Sequence, residues 1–316
     1  MAGKTYETMN AKLVLNRVKA ERMPFDWSLN PYRGCAHGCS FCYARAFQPF
    51  IGKEPTDEFQ NHIILKTNAA EALEAQLSGI ARRSCIRPED VGNLLGPVAV
   101  GTATDPYQPI EAKTLLTKSC LRVLAKYRVP TSVTTRSPLV LRDIAELREL
   151  ELTSINISIN TLDAVTTRRM EPATPHPLQR LRTVEKLAAA GLPVGVFVAP
   201  ILPYLTDAED QLDDLFGAAK SHGAAFAMTS LLRLSADVKT WYFRTLEECY
   251  PELPALYARL YEGAYVHPRY GEVIRERIGR VSRRHGLTGN IPARPQAPAS
   301  DKVDMPAKPE QLAFSF

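Results

Sequence analysis

From residue 97 onward, short apolar runs alternate with amphipathic stretches, the order that gives a parallel sheet wrapped by helices. Strands are expected near 97–102, 130–135, 152–159, 193–199 and 224–230. Helical spacing falls between them, at about 111–127, 138–149, 177–190 and 207–221, with Gly191 and Gly223 placed to end two of these helices. A further strand near 25–31 brings the pattern to six strand–helix units, which fit an α/β fold of the incomplete (β/α)6 barrel kind. In such barrels the site gathers at the carboxyl ends of the strands, so the residues just after each strand are the first candidates. An additional helix at 69–82 begins with Asn68 as its cap and Glu71 three residues on, a capping-box arrangement. Residues 236–286 read as further helices that cover the barrel. After Asn290 the periodicity stops in a stretch with five prolines, which reads as a disordered tail. The chain is thus expected to divide into an extension (1–24), a barrel core (25–235), a helical region (236–289) and a tail (290–316).

With 316 residues, 45% of them hydrophobic and 23% charged, the chain is long enough for one large α/β unit. The opening MAGKTYETMN lacks a charged segment followed by an apolar core, and no run of about 18 apolar residues occurs. The expected compartment is therefore the cytoplasm, with no membrane partner. A net charge of +5 permits an anionic partner without requiring one.

Chemistry enters at NPYRGCAHGCSFCYAR, where Cys35, Cys39 and Cys42 are three thiols in a compact loop. A four-iron, four-sulfur cubane needs a ligand on each iron, so three cysteines leave one iron open to a non-protein ligand. Gly34 and Gly38 would let the backbone curl past the metal, and Phe41 would shield the cluster or lie near a bound ring. The alternative is a structural zinc site with His37 or a distant thiol as fourth ligand, although zinc sites more often pair two C-x-x-C knuckles and only one is present. A disulfide does not suit an odd set of thiols in a reducing compartment.

The C-x-x-x-C-x-x-C loop with an aromatic residue before the third cysteine resembles the radical S-adenosylmethionine (SAM) superfamily. NPYRGC and CYAR resemble its spore photoproduct lyase-like branch. IILKTNAAEALEAQL (63–77), GTATDPYQPIE (101–111), VTTRS (133–137), SINISINTLD (154–163), AAAGLPVGVFVAPILPYLTD (188–207) and LLRL (231–234) agree with that branch in order, over about residues 25–285. The resemblance implies the partial (β/α)6 barrel, a [4Fe-4S] cluster on Cys35, Cys39 and Cys42, and SAM as cofactor. It further implies reductive cleavage to a 5'-deoxyadenosyl radical that abstracts hydrogen from substrate, with an electron donor such as flavodoxin or ferredoxin. On this reading Thr104 and Asp105 would hold the methionine amino group. Arg136, where related lyases carry a lysine, would bind the methionine carboxylate or the ribose. Ser158 and Asn160 would meet the ribose, and Ala199 and the backbone at Tyr43 the adenine. Without the cysteine loop these would be ordinary strand-end and turn residues.

Spore photoproduct lyase uses a cysteine hydrogen donor near the end of the strand matching 98–102, and here VAVGTATD has none. Tyr43 and Tyr107 are the candidate relays in its place. Cys120 and Cys249 read as buried small apolar residues, and Cys85 as core or exposed. DNA is a candidate substrate on two features. One is the basic run Arg275, Arg277, Arg280, Arg283 and Arg284. The other is the terminal QLAFSF, which resembles the glutamine-leucine-aromatic peptides that dock bacterial DNA-processing proteins on the sliding clamp. The rival class is a metal-stabilised nucleic-acid-binding protein without turnover.

Overall fold

Branched apolar residues at alternate strand positions turn one face of the main sheet toward the helices, because successive strand side chains point to opposite faces. The computed structural model describes residues 3–19 and 23–289. Its strands are β1 (Thr5–Met9), β2 (Leu15–Arg17), β3 (Trp27–Leu29), β4 (Tyr32–Arg33), β5 (His62–Lys66), β6 (Val98–Val100), β7 (Thr131–Thr135), β8 (Leu152–Ser158), β9 (Val194–Ile201) and β10 (Ala227–Leu231). The large sheet runs β10-β9-β8-β7-β6-β3-β2. All pairings from β3 to β10 are parallel and only the edge strand β2 is antiparallel. These six parallel strands, with helices in the crossovers, make the α/β partial barrel that the alternation of the sequence predicts.

The dry core lies between this sheet and the helices Ala69–Ser84, Leu116–Lys126, Pro177–Ala189 and Glu209–Ser221. Val98, Val100, Val133, Ile155, Ile157, Val194, Val196 and Val198 fill it from the sheet, each buried to within 1% of complete. At about 25 cal/mol per Å² of apolar surface removed from water, each such side chain contributes roughly 1.5–3 kcal/mol.

Three local expectations are corrected. The helix expected over 111–127 breaks at Leu115, which adopts φ 56°, into Glu111–Thr114 and Leu116–Lys126. The break lets the Glu111 carboxylate turn back and accept from the amides of Thr117 (2.9 Å) and Lys118 (3.2 Å), donors left open in the first turn of the second helix. The stretch 138–149 is a 3-10 turn, Pro138–Asp143, followed by the helix Ile144–Glu149. Asn68 makes no side-chain cap. Its amide accepts from Ala11 N (2.8 Å) and donates to Ala11 O (3.0 Å), pinning the amino-terminal segment instead.

A second, three-stranded sheet in the order β1-β5-β4 lies outside the sequence expectation. At the other end, the helices Ala236–Cys249 and Pro254–Leu260 cover the cysteine-loop side with a core that joins Tyr242, Tyr257 and Tyr261 to Cys39 and Phe41, while Pro268–His285 packs on Glu209–Ser221. The basic run on Pro268–His285 is largely spent within the fold. Arg277 donates to the carbonyl of Asp207 (3.0 Å), Arg280 pairs with Glu209 (2.7 Å), and Arg284 pairs with Asp213 (2.6 Å). Among the described residues no helix is long and apolar enough to cross a membrane. The tail expected at 290–316, with QLAFSF, lies outside the described residues.

Candidate active site

The cysteine loop leaves β4 through two left-handed glycines, Gly34 (φ 75°) and Gly38 (φ 68°). A Cβ at Gly34 would sit 2.6 Å from His62 O and 2.9 Å from Phe59 O, so only glycine lets the chain pass. The loop then binds back on itself, with Gly38 N donating to Cys35 O (3.2 Å) and Cys42 N to Cys39 O (3.3 Å). Cys35 and Cys39 are buried and Cys42 is half-buried. Burial pushes all three thiols upward, Cys35 to about 12, and each feels the charge of at least one other cysteine or of Arg136. Opposing the burial, backbone amides of His37 and Asp105 face the Cys35 sulfur, and those of Ala44 and Arg45 face Cys42.

The segment after β6, GTATDPYQP, is the mould of this loop. Thr104 Oγ1 donates to Gly34 O (2.6 Å), while Gln108 accepts from Ala36 N (2.9 Å) and donates to Thr104 Oγ1 (3.1 Å). Asp105 Oδ1 accepts from Thr135 Oγ1 (2.6 Å) and Tyr107 N (2.9 Å). Its Oδ2 accepts from Arg136 N (2.8 Å) and lies 3.2 Å from His37 Nε2. Burial alone would raise the Asp105 pKa, but the charge and hydrogen bond of His37, with the Thr135 and Arg136 donors, hold it at about 2. Both residues therefore take part in shaping the loop. His37 is equally committed, since its Nδ1 lies 3.2 Å from Ala173 O. It thus links the loop to Asp105 and to the Ala173 carbonyl. Among the described residues no three His, Cys, Asp or Glu side chains are grouped to hold one metal ion, whereas a cubane gives each thiolate its own iron.

Arg136 at the end of β7 lies 5.9 Å from the Phe41 ring and acts electrostatically on Cys39 and Cys42. Its Nε is 3.4 Å from Glu171, which the fully buried Arg180 grips at 2.5 Å. Arg180 also donates to Ser158 O (3.0 Å) and Pro175 O (2.9 Å). Burial would raise Glu171, but Arg180 and Arg136 outweigh it and keep the carboxylate ionised. Glu171, Arg180, Gln108 and the buried Arg45 are site residues that sequence reasoning missed. A Glu in a proline-flanked turn, MEPATP, carries a faint signal, and the others carry none.

The sheet face opposite the dry core is small and polar on β7 and β8, and turns apolar toward β9 and β10 at Phe197 and Met228. Ser132 is register-paired with Ser154, and Thr134 with Asn156, whose Nδ2 donates to Thr134 Oγ1 (3.2 Å). Asn156 Oδ1, Asn160 Oδ1 and Ser154 Oγ are buried without a hydrogen-bond partner among the described residues. Ala199 continues this face on β9, next to the carboxyl end. Below, the ring of Phe226 fills the space over Gly195, where a Cβ would come within 2.3 Å of it. Tyr43 is partly exposed and donates its hydroxyl to Thr102 O. Tyr107 is fully buried in the dry core and feels Asp143 and Glu111, on the helix side of the sheet. That placement removes it as a relay. All six cysteines are free, with Cys120 buried, Cys249 half-buried and Cys85 exposed.

The radical SAM superfamily model matches residues 95–216. The uncharacterized proteins Mb2609c of Mycobacterium bovis and Rv2578c of Mycobacterium tuberculosis are each 34% identical over 311 residues, covering 97% of this chain and 88% of theirs. The chain belongs to the radical SAM superfamily. Uncharacterized protein MJ0683 of Methanocaldococcus jannaschii is 25% identical over 77% of this chain and 86% of its own. A structure of spore photoproduct lyase complexed with dinucleoside spore photoproduct superposes with a TM-score of 0.66 at 17% identity, over 90% of this chain and 81% of that one. The radical SAM fold is thus shared with that lyase, and the chain is a radical SAM enzyme.

Proposed function

We propose that Cys35, Cys39 and Cys42 hold a [4Fe-4S] cluster whose open iron takes SAM, and that the enzyme abstracts hydrogen from a substrate seated on the polar sheet face. The observation that carries this reading is a compact loop that holds three free thiols, two buried and one half-buried, beside Arg136. When bound, the cluster supplies one electron to cleave SAM to methionine and a 5'-deoxyadenosyl radical, the hydrogen-abstracting species. The chain's own residues do the rest. Glu171 and Arg180 fix Arg136 beside the loop, where its guanidinium suits the methionine carboxylate. Asn160, with its orphaned Oδ1, and Ser158 suit ribose hydroxyls, because a buried acceptor without a partner gains most from a ligand donor. Ala199 and the backbone at Tyr43 line the adenine position. Tyr43 is also the remaining candidate hydrogen relay. The electron comes from a small donor of the flavodoxin or ferredoxin kind, and the cytoplasm suits both the cluster and the six free thiols.

The lining formed by Ser132, Thr134, Ser154 and Asn156 favours a neutral, hydrogen-bonding group over an ionised one. A nucleobase has that character, and the likeness to a lyase solved with a dinucleoside supports a nucleic-acid substrate. Anaerobic reconstitution tests the whole reading. The expected result is a brown protein with about four irons that releases 5'-deoxyadenosine from SAM under dithionite. A colourless protein holding zinc would replace it with the metal-stabilised binding module. Ultraviolet-damaged oligonucleotide returned unchanged by active enzyme would remove DNA repair while leaving SAM cleavage in place.

A further inference from the structure

Arg45 is fully buried, yet none of its acceptors carries a charge. Its Nε donates to Cys39 O (3.1 Å), its Nη1 to Thr56 O (2.6 Å), and its Nη2 to Gly38 O (3.2 Å) and Gln60 Oε1 (2.6 Å). The guanidinium is sandwiched 4.9 Å from the Phe59 ring and 4.7 Å from the Trp241 ring. Arginine stays charged in such a setting, and an isolated buried cation is costly unless an anion compensates it. Among the described residues no carboxylate lies within ion-pair distance of it; what it grips is the cysteine loop itself, through the carbonyls of Gly38 and Cys39 and, from its own amide, that of Cys42 (3.2 Å).

We infer that Arg45 is the fixed counter-charge of the cluster, and the clasp that ties its loop to the segment 55–60 and to the carboxyl-terminal helix Ala236–Cys249. This rests on the cluster reading given above. Reduction of the bound cluster by one electron from dithionite adds a negative charge, so a cation held nearby favours the reduced form and raises the midpoint potential. Arg45 is a positioning and tuning residue, because it touches backbone and rings rather than the reacting atoms.

The test is an electron-paramagnetic-resonance redox titration of full-length, anaerobically reconstituted protein, with iron and sulfide analysis alongside. Arg45→Gln is expected to shift the midpoint to more negative potential, while Arg45→Lys, which keeps the charge and loses the fork, stays nearer the wild type. Gln60→Glu provides the second route should Arg45→Gln not fold. It places a carboxylate against Nη2, drawing the guanidinium's charge away from the thiolates, and is likewise expected to move the midpoint down. Loaded Arg45→Gln or Gln60→Glu protein with an unmoved midpoint overturns the inference and leaves the cluster reading intact. Wild-type protein that takes up no cluster overturns both.

Discussion

The two faces of the main sheet are written into the same strands and behave oppositely. On the helix side, Ile155, Ile157, Val196 and Val198 leave almost no surface in water and no polar atom to satisfy. On the other side, one residue along the strand, Ser154 and Asn156 carry buried oxygens with no partner among the described residues. The difference teaches that stability and chemistry are separated by a single step of the strand pleat. Shifting any strand by one residue would exchange them.

The comparison breaks most sharply at the cysteine loop. Cys39→Ala is expected to lose iron and to reduce SAM cleavage to background while the far-ultraviolet circular dichroism stays native; full iron content in this variant would refute the proposed ligand set. On the dry face, Ile157→Ala should cost about 3 kcal/mol by denaturant titration, with iron uptake per folded molecule unchanged. An effect under about 1 kcal/mol would mean the helix side is not the load-carrying core. Next in size is the acid response of Asp105. Because its native carboxyl is held near 2 against an ordinary 3.8, the unfolded chain takes up the proton first as pH falls. About 2 kcal/mol of stability present above pH 4 should therefore disappear toward pH 2. In cluster-free protein, Asp105→Asn should flatten that slope, and an unchanged slope would argue against the His37–Asp105 arrangement. The smallest effect belongs to the polar face: Ser154→Ala should change stability by no more than about 1 kcal/mol, in either direction, since its hydroxyl loses no protein bond. A loss above about 2 kcal/mol would show that the hydroxyl is satisfied after all.

Periodicity made the barrel readable because each of the six parallel strands carries its apolar residues to one side. It failed for β1, TYETM, whose first four residues are exposed and whose pairing with β5 adds to the backbone ladder only the exposed His62–Glu7 contact (2.7 Å). It also failed at Leu115, where a carboxylate cap interrupts an apolar stripe that continues across the break. Within the site, the cysteines and Gly34 were legible from spacing, since metal geometry and positive φ leave few residue choices. Thr104 and Asp105 were found, but only the fold shows that they brace Gly34 and His37. Arg45, Gln108 and Arg180 were invisible for a simpler reason. Their meaning lies in partners brought in from other segments, and nothing local distinguishes them from surface residues.

The cysteine loop occupies residues 34–45, yet its shape is dictated by Gln108 at Ala36, by Asp105 at His37 and by Ala173, whose amide donates to the carbonyl of His37 (3.2 Å). During synthesis the thiols emerge long before the residues that arrange them. The seat proposed for the iron centre is therefore unfinished until more than half of the chain has left the ribosome.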